Sequence, residues 1–202
     1  AVAYDLATAA NPTRKDILLG GEGNDILMGG PAEDWVLGGP GNDVLSGGLD
    51  RQASDLLFGE GGDDTFQLIP DGLPFLKGRT QTYVPTLTDH CDGGPGSDRV
   101  LFLGGDLDRL GWPVPDEVAI RYNRILHRYE FTSLVWDIAN QQFVADPVTG
   151  QFEQTYALYQ AKDVEHTVIN TLAGNDVVHG NPEFAFPNTT AEWGIDPGDY
   201  EQ

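Results

Sequence analysis

From Gly20 onward the chain repeats itself every nine residues: GGEGNDILM, GGPAEDWVL, GGPGNDVLS, then GGLDRQASDLLF with three residues inserted, then GEGGDDTFQ. A degenerate unit, NPTRKDILL from Asn11, precedes them in phase. A short fixed period is the signature of a stacked fold, in which each unit buries its apolar side only against its neighbours. Two columns stay in register through all six units. The sixth position holds Asp16, Asp25, Asp34, Asp43, Asp55 and Asp64, and two residues further on stand Leu18, Leu27, Val36, Leu45, Leu57 and Phe66. A flexible glycine-rich linker keeps no apolar residue in step, so these units fold.

Each unit divides into a six-residue turn and a three-residue strand. Side chains alternate faces along a strand, so three residues offer one inward position, the residue two after Asp. The glycines admit positive φ and let main-chain carbonyls converge. Two units complete one coil, so carboxylates stack at every second unit. One column holds Asp16, Asp34 and Asp55, and the other holds Asp25, Asp43 and Asp64. Stacked carboxylates repel, and the basic residues nearby are only Arg14, Lys15 and Arg51. A divalent ion between successive coils turns that repulsion into cohesion. Carboxylate and carbonyl oxygens suit Ca²⁺, whereas zinc favours His or Cys and Mg²⁺ retains its waters.

Composition agrees with a cation as the missing partner. The chain has 22 Asp and 10 Glu against 11 Lys plus Arg, for a formal charge of −21. Such a charge repels nucleic acid and anionic membrane surfaces. No apolar run is long enough for a membrane-spanning helix. The lone cysteine, Cys91, excludes a disulfide framework and a four-cysteine zinc site. The start at Ala1, without an initiator Met or a signal peptide, makes a piece of a longer protein the expectation.

Residues 11–67 resemble the RTX family, whose glycine-aspartate nonapeptides bind calcium. The resemblance implies an all-β fold, a right-handed parallel β-roll. It also implies calcium ligands: the sixth-position Asp side chains, and the carbonyls of Gly20, Gly21, Gly23, Gly29, Gly30, Gly38, Gly39, Gly41, Gly47, Gly59 and Gly61. Pairing along the columns gives Asp16/Asp34, Asp34/Asp55, Asp25/Asp43 and Asp43/Asp64. These are about four ions, whose eight positive charges would bring −21 to −13. Ala32 and Glu60 replace expected glycines, which costs roughly 1 kcal/mol each where φ is positive. The insertion within residues 49–53 bulges the turn before Asp55.

Beyond residues 1–67 the pattern loosens. Residues 68–116, with Pro70, Pro74 and Pro85, read as a loop excursion. The motif returns inside it at 92–101, DGGPGSDRVL, with Asp98 in the acidic position and Val100 inward. Residues 117–180 read as an added antiparallel β-sheet region, from the β-prone runs VAIRY, LHRYEF, SLVWDI, QQFVA and QFEQTYALYQ. Asp146-Pro147 and Thr149-Gly150 mark a hairpin there. The region ends in a second echo, TLAGNDVVHG at 171–180, with Asp176 and Val178. Asp98 and Asp176 therefore join the candidate metal ligands. One helical turn is expected near 106–110, and residues 181–202 form an acidic tail. The returning phase favours one continuing β-stack carrying insertions over two separate domains.

Catalytic signatures are missing: there is no HExxH and no GxSxG. His90 and Cys91 read as ordinary loop residues, and His127, His166 and His179 as solvent-facing residues of strand-like runs. The expectation is a non-enzymatic, calcium-binding structural module of a secreted or cell-surface bacterial protein. It would fold on calcium and serve as an extracellular building block of an adhesin, surface layer or filament. Its partners would be calcium ions and either its own copies or a surface glycan. The alternatives are a secretion and folding tail of a secreted enzyme, or a carbohydrate-binding module presenting Trp112, Trp136 or Trp193.

Overall fold

The computed structural model describes residues 2–4, 15–30, 32–48, 54–68, 88–103, 117–133, 136–137, 142–143, 145, 148, 150, 159–171 and 176–180. Among them every regular element is a β-strand. Short strands follow one another, from the second on at the spacing of the repeat: β1 (Val2–Tyr4), β2 (Ile17–Leu19), β3 (Ile26–Met28), β4 (Trp35–Pro40), β5 (Val44–Ser46), β6 (Leu56–Gly61) and β7 (Thr65–Leu68). The series continues with β8 (Asp89–Asp92), β9 (Arg99–Leu103), β10 (Glu117–Asn123), β11 (Arg128–Ser133), β12 (Trp136–Asp137) and β13 (Gln142–Phe143). It closes with β14 (Tyr159–Lys162), β15 (His166–Asn170) and β16 (Val177–His179).

From β1 to β10, consecutive strands alternate between two sheets. One sheet has the order β1-β3-β5-β7-β9-β15 and is parallel throughout. The other has the order β16-β10-β11-β14-β8-β6-β4-β2. There β2, β4, β6, β8 and β14 run parallel, β11 pairs antiparallel with β14, and β10 pairs antiparallel with β11. Strands β12 and β13 form a separate two-stranded ribbon.

The apolar column lies between the sheets. In register, Leu18, Val36, Leu57, Cys91 and Ala161 line up across one sheet, and Leu27, Leu45, Phe66 and Val100 across the other. All nine belong to the buried core cluster. Burying a Leu, Val or Phe contributes about 1.5–3 kcal/mol, so each coil adds a comparable increment. Toward the distal end the core widens with aromatics. Phe102 stacks on Phe131 at 6.1 Å between ring centroids, and Tyr159 meets both edge-on at 6.2 and 6.4 Å.

Several expectations change. Residues 89–92, assigned to a loop, form β8 inside the stack, because Asp89-x-Cys91-x-Gly93-Gly94 has the spacing of a repeat unit. His90 and Cys91 therefore point to opposite faces, His90 to solvent and Cys91 into the core. His127 lies in the turn between β10 and β11 at φ 50°, not in a strand. The echo at 171–180 leaves Val178 40% exposed, so its strand adds nothing to the core. The hairpin at Asp146-Pro147, the helical turn at 106–110, residues 49–53, Trp112, Trp193 and the tail at 181–202 lie outside the described residues.

Candidate calcium site

The turns between strands carry the charge. From the second rung of each column on, the Asp accepts, through Oδ1, the main-chain N–H of the Asp one coil before it. Asp16 N donates to Asp34 Oδ1 at 2.8 Å, Asp34 N to Asp55 Oδ1 at 2.8 Å, and Asp55 N to Asp89 Oδ1 at 2.9 Å. In the other column Asp25 N donates to Asp43 Oδ1 at 2.8 Å, Asp43 N to Asp64 Oδ1 at 2.8 Å, and Asp64 N to Asp98 Oδ1 at 2.7 Å. These are the two columns expected from the sequence, each longer by one coil. The donated N–H fixes each of these six accepting carboxylates in one orientation, with Oδ2 left to point elsewhere.

Where Oδ2 points is defined by the first glycine of each turn. A Cβ placed on Gly29 would lie 2.6 Å from Asp34 Oδ2 and 2.6 Å from the Gly47 carbonyl of the next coil. The same arrangement recurs at Gly20 with Asp25 Oδ2 and the Gly38 carbonyl, at Gly38 with Asp43 Oδ2 and the Gly59 carbonyl, and at Gly59 with Asp64 Oδ2 and the Gly93 carbonyl. At Gly47 the neighbour is Asp55 Oδ2. Only glycine leaves room for oxygens from two coils to approach one point. The carbonyls of Gly38 and Gly47 each accept one N–H, from Gly21 at 3.0 Å and Gly30 at 2.8 Å, and retain a second lone pair.

The second and fourth turn positions stack as well. Gly39 sits over the Gly21 carbonyl and Gly48 over that of Gly30. In the fourth position Gly41 sits over the Gly23 carbonyl, Gly62 over that of Gly41, and Gly96 over that of Gly62. Gly62, not Gly61, therefore continues the Gly23/Gly41 column, and the Gly61 carbonyl accepts the Gly41 N–H at 2.7 Å. Ala32 and Glu60 adopt φ 86° and 74°, the left-handed conformation that their glycine positions impose.

The electrostatics call for a cation. Asp25, Asp34, Asp43, Asp55, Asp64 and Asp98 are all at most 2% exposed. Asp43, Asp64 and Asp98 each hold Oδ2 buried without a hydrogen-bond partner. Burial pushes the Asp64 carboxyl up to about 6, against the N–H that Asp43 donates and helped by the carboxylates of Asp98, Asp43 and Asp63. Burial also raises Asp43 and Asp98. A buried carboxylate with an unmet oxygen is costly unless a proton or a metal ion neutralises it. Among the described residues no three His, Cys, Asp or Glu side chains converge, so carbonyl oxygens must supply part of any ligand set. Paired carboxylates with carbonyls at fixed spacing fit calcium and leave zinc without its usual donors.

Residues 15–51 and 52–67 match the family model described as the RTX calcium-binding nonapeptide repeat, in four copies. These are RTX repeats. RTX repeats bind calcium and occur in secreted bacterial proteins. No curated protein and no solved structure matched the chain. The RTX match stops at residue 67, whereas the carboxylate columns run on to Asp89 and Asp98.

Two corrections concern individual residues. Asp89 was missed, although its spacing to Cys91, Gly93 and Gly94 carried the signal. Asp176 is not brought to either column: it precedes β16, which pairs with β10 at the far edge of its sheet, with β11 and β14 intervening before β8.

Proposed function

We propose that this chain is a calcium-folded structural module of a secreted or cell-surface bacterial protein, a right-handed β-roll with no catalytic role. The observation that carries the reading is the pair of buried carboxylate ladders whose second oxygens face glycine-lined gaps. Asp16/Asp34, Asp34/Asp55, Asp25/Asp43 and Asp43/Asp64 with their turn carbonyls hold about four ions in residues 11–67. Asp55/Asp89 and Asp64/Asp98 extend the same gaps distally. Calcium, when bound, supplies the positive charge that these carboxylates lack.

In calcium-poor cytosol the columns repel and the roll stays expanded. At the millimolar calcium found outside a cell it closes. This suits an extracellular building block of an adhesin, surface layer or filament, exported unfolded and set in place afterwards. The test is circular dichroism of the chain with calcium and with EGTA. The β signal is expected to appear with calcium and collapse in chelator. A signal unchanged by chelator would falsify the reading.

A further inference from the structure

We infer that a further divalent-cation site joins the turn at residues 93–98 to residues 163–165, clamping the β14–β15 connection onto the end of the roll. The inference rests on the reading that the carboxylate columns hold calcium. Its second half, residues 163–165, carries no glycine-aspartate repeat, and the whole site lies beyond the RTX match.

Residues 162–166 reproduce the main-chain contacts of a coil. Gly20 N donates to Leu37 O at 2.9 Å and Gly29 N to Ser46 O at 3.0 Å; Gly93 N donates to Lys162 O at 3.0 Å. The first strand residue of each coil donates to the Asp carbonyl one coil before, as Arg99 N does to Asp64 O at 3.0 Å; His166 N donates to Asp98 O at 3.0 Å. Along the ladder, Asp64 N donates to Asp98 Oδ1 at 2.7 Å, and Asp98 N donates to Glu165 Oε2 at 2.7 Å. Glu165 thus occupies the Asp position of a coil written in different residues.

The gap is repeated too. A Cβ on Gly93 would lie 2.5 Å from Asp98 Oδ2 and would also strike the Asp163 carbonyl. Asp163 therefore stands where Gly38, Gly47, Gly59 and Gly93 stand in the earlier coils. It adopts φ 49°, in the left-handed region that those turns also use at other positions. Asp98 is fully buried, and its Oδ2, aimed into this gap, has no hydrogen-bond partner. Neither neighbouring cation partners Asp98 Oδ2. Lys162 Nζ is held by Asp163 Oδ2 at 2.9 Å and Asp92 Oδ2 at 3.1 Å, and Arg99 Nε donates to Thr65 Oγ1 at 2.8 Å.

The substitution of Glu for Asp has a geometric reason. Three residues, 163–165, connect β14 to β15, where six residues, 93–98, connect β8 to β9. The longer side chain spans what the shorter turn leaves open. Fewer turn residues also mean fewer carbonyl ligands, so this site fills after those of the repeats.

The experiment is calcium titration of the whole chain by calorimetry, paired with hydrogen exchange of segments 159–171 and 17–46. Calcium is expected to protect both segments. Glu165→Gln, which keeps an oxygen for the Asp98 N–H but loses the charge, should bind one ion fewer. It should lose calcium-dependent protection at 159–171 and retain it at 17–46. Asp163→Gly, which keeps the carbonyl and suits the positive φ, should bind as the parent does. Unchanged stoichiometry and protection in Glu165→Gln overturns the terminal site alone. A parent chain that takes up no calcium and gains no protection at 17–46 overturns the column reading as well.

Discussion

Substitution of Asp43 by Asn should destabilise the fold in the presence of calcium and should not destabilise it in its absence. Asp43 is 1% exposed and sits mid-column, accepting the Asp25 N–H at 2.8 Å and donating its own to Asp64 Oδ1 at 2.8 Å. It borders two gaps, so its charge serves two ions. Asn preserves the shape and the Oδ1 acceptor and removes only the charge. A site held at a hundred times its dissociation constant stabilises the fold by about 2.7 kcal/mol. Losing two such sites costs about 5 kcal/mol, a large part of the net stability of an ordinary domain. In metal-free buffer the same charge is a liability, because it is buried beside Asp64 without a partner for Oδ2. There Asp43→Asn should match the parent or exceed it. Urea denaturation followed by circular dichroism reads the loss in calcium, and the residual β signal of variant and parent in chelator reads the metal-free side. An equal loss of stability with and without calcium would show that Asp43 acts through packing, and the column argument would fail.

Acid should act in opposite directions on the two forms. Asp64, raised to about 6 when folded and lower when unfolded, contributes stability to the metal-free fold below about pH 4 and loses it as pH rises through 6. Lowering pH from 7 to 5 in metal-free buffer should therefore restore part of the β signal that chelator removes. With calcium present the same protons compete with the ion, so apparent calcium affinity should fall over that range; an affinity independent of pH would contradict a carboxylate-held ion. The strained turns give a third expectation. Ala32→Gly and Glu60→Gly, at φ 86° and 74°, should each stabilise the calcium-loaded fold by about 1 kcal/mol, and a loss of thermal midpoint in both would refute the strain argument.

The repeat made its own architecture readable. One apolar residue per three-residue strand has only one place to go, and Leu18, Leu27, Val36, Leu45, Leu57 and Phe66 all went there. The pairing of every second Asp followed from two units per coil. What escaped was structure carried by contacts without the motif. Asp89 lies in a unit whose inward residue is a cysteine and whose preceding sequence lacks the glycines. Glu165 has neither the glycines nor the aspartate, and only its hydrogen bonds to the preceding coil reveal its place. Asp176 has the motif letters, yet its strand pairs with β10, so local sequence alone misplaced it. The added hairpin of β10 and β11 was legible as antiparallel strands. Its attachment through β14 depends on long-range pairing that no short window encodes.

Successive rungs of one ladder are separated by 18, 21, 34 and then 67 residues, while the hydrogen bond that links them hardly changes length. The coils evidently dock by matching faces and do not count the chain between them. Loop closure grows dearer only slowly with length. Foreign sequence grafted between two rungs should be carried as cargo, and the joints after β5 and β7 are where such splicing would disturb the mineral spine least.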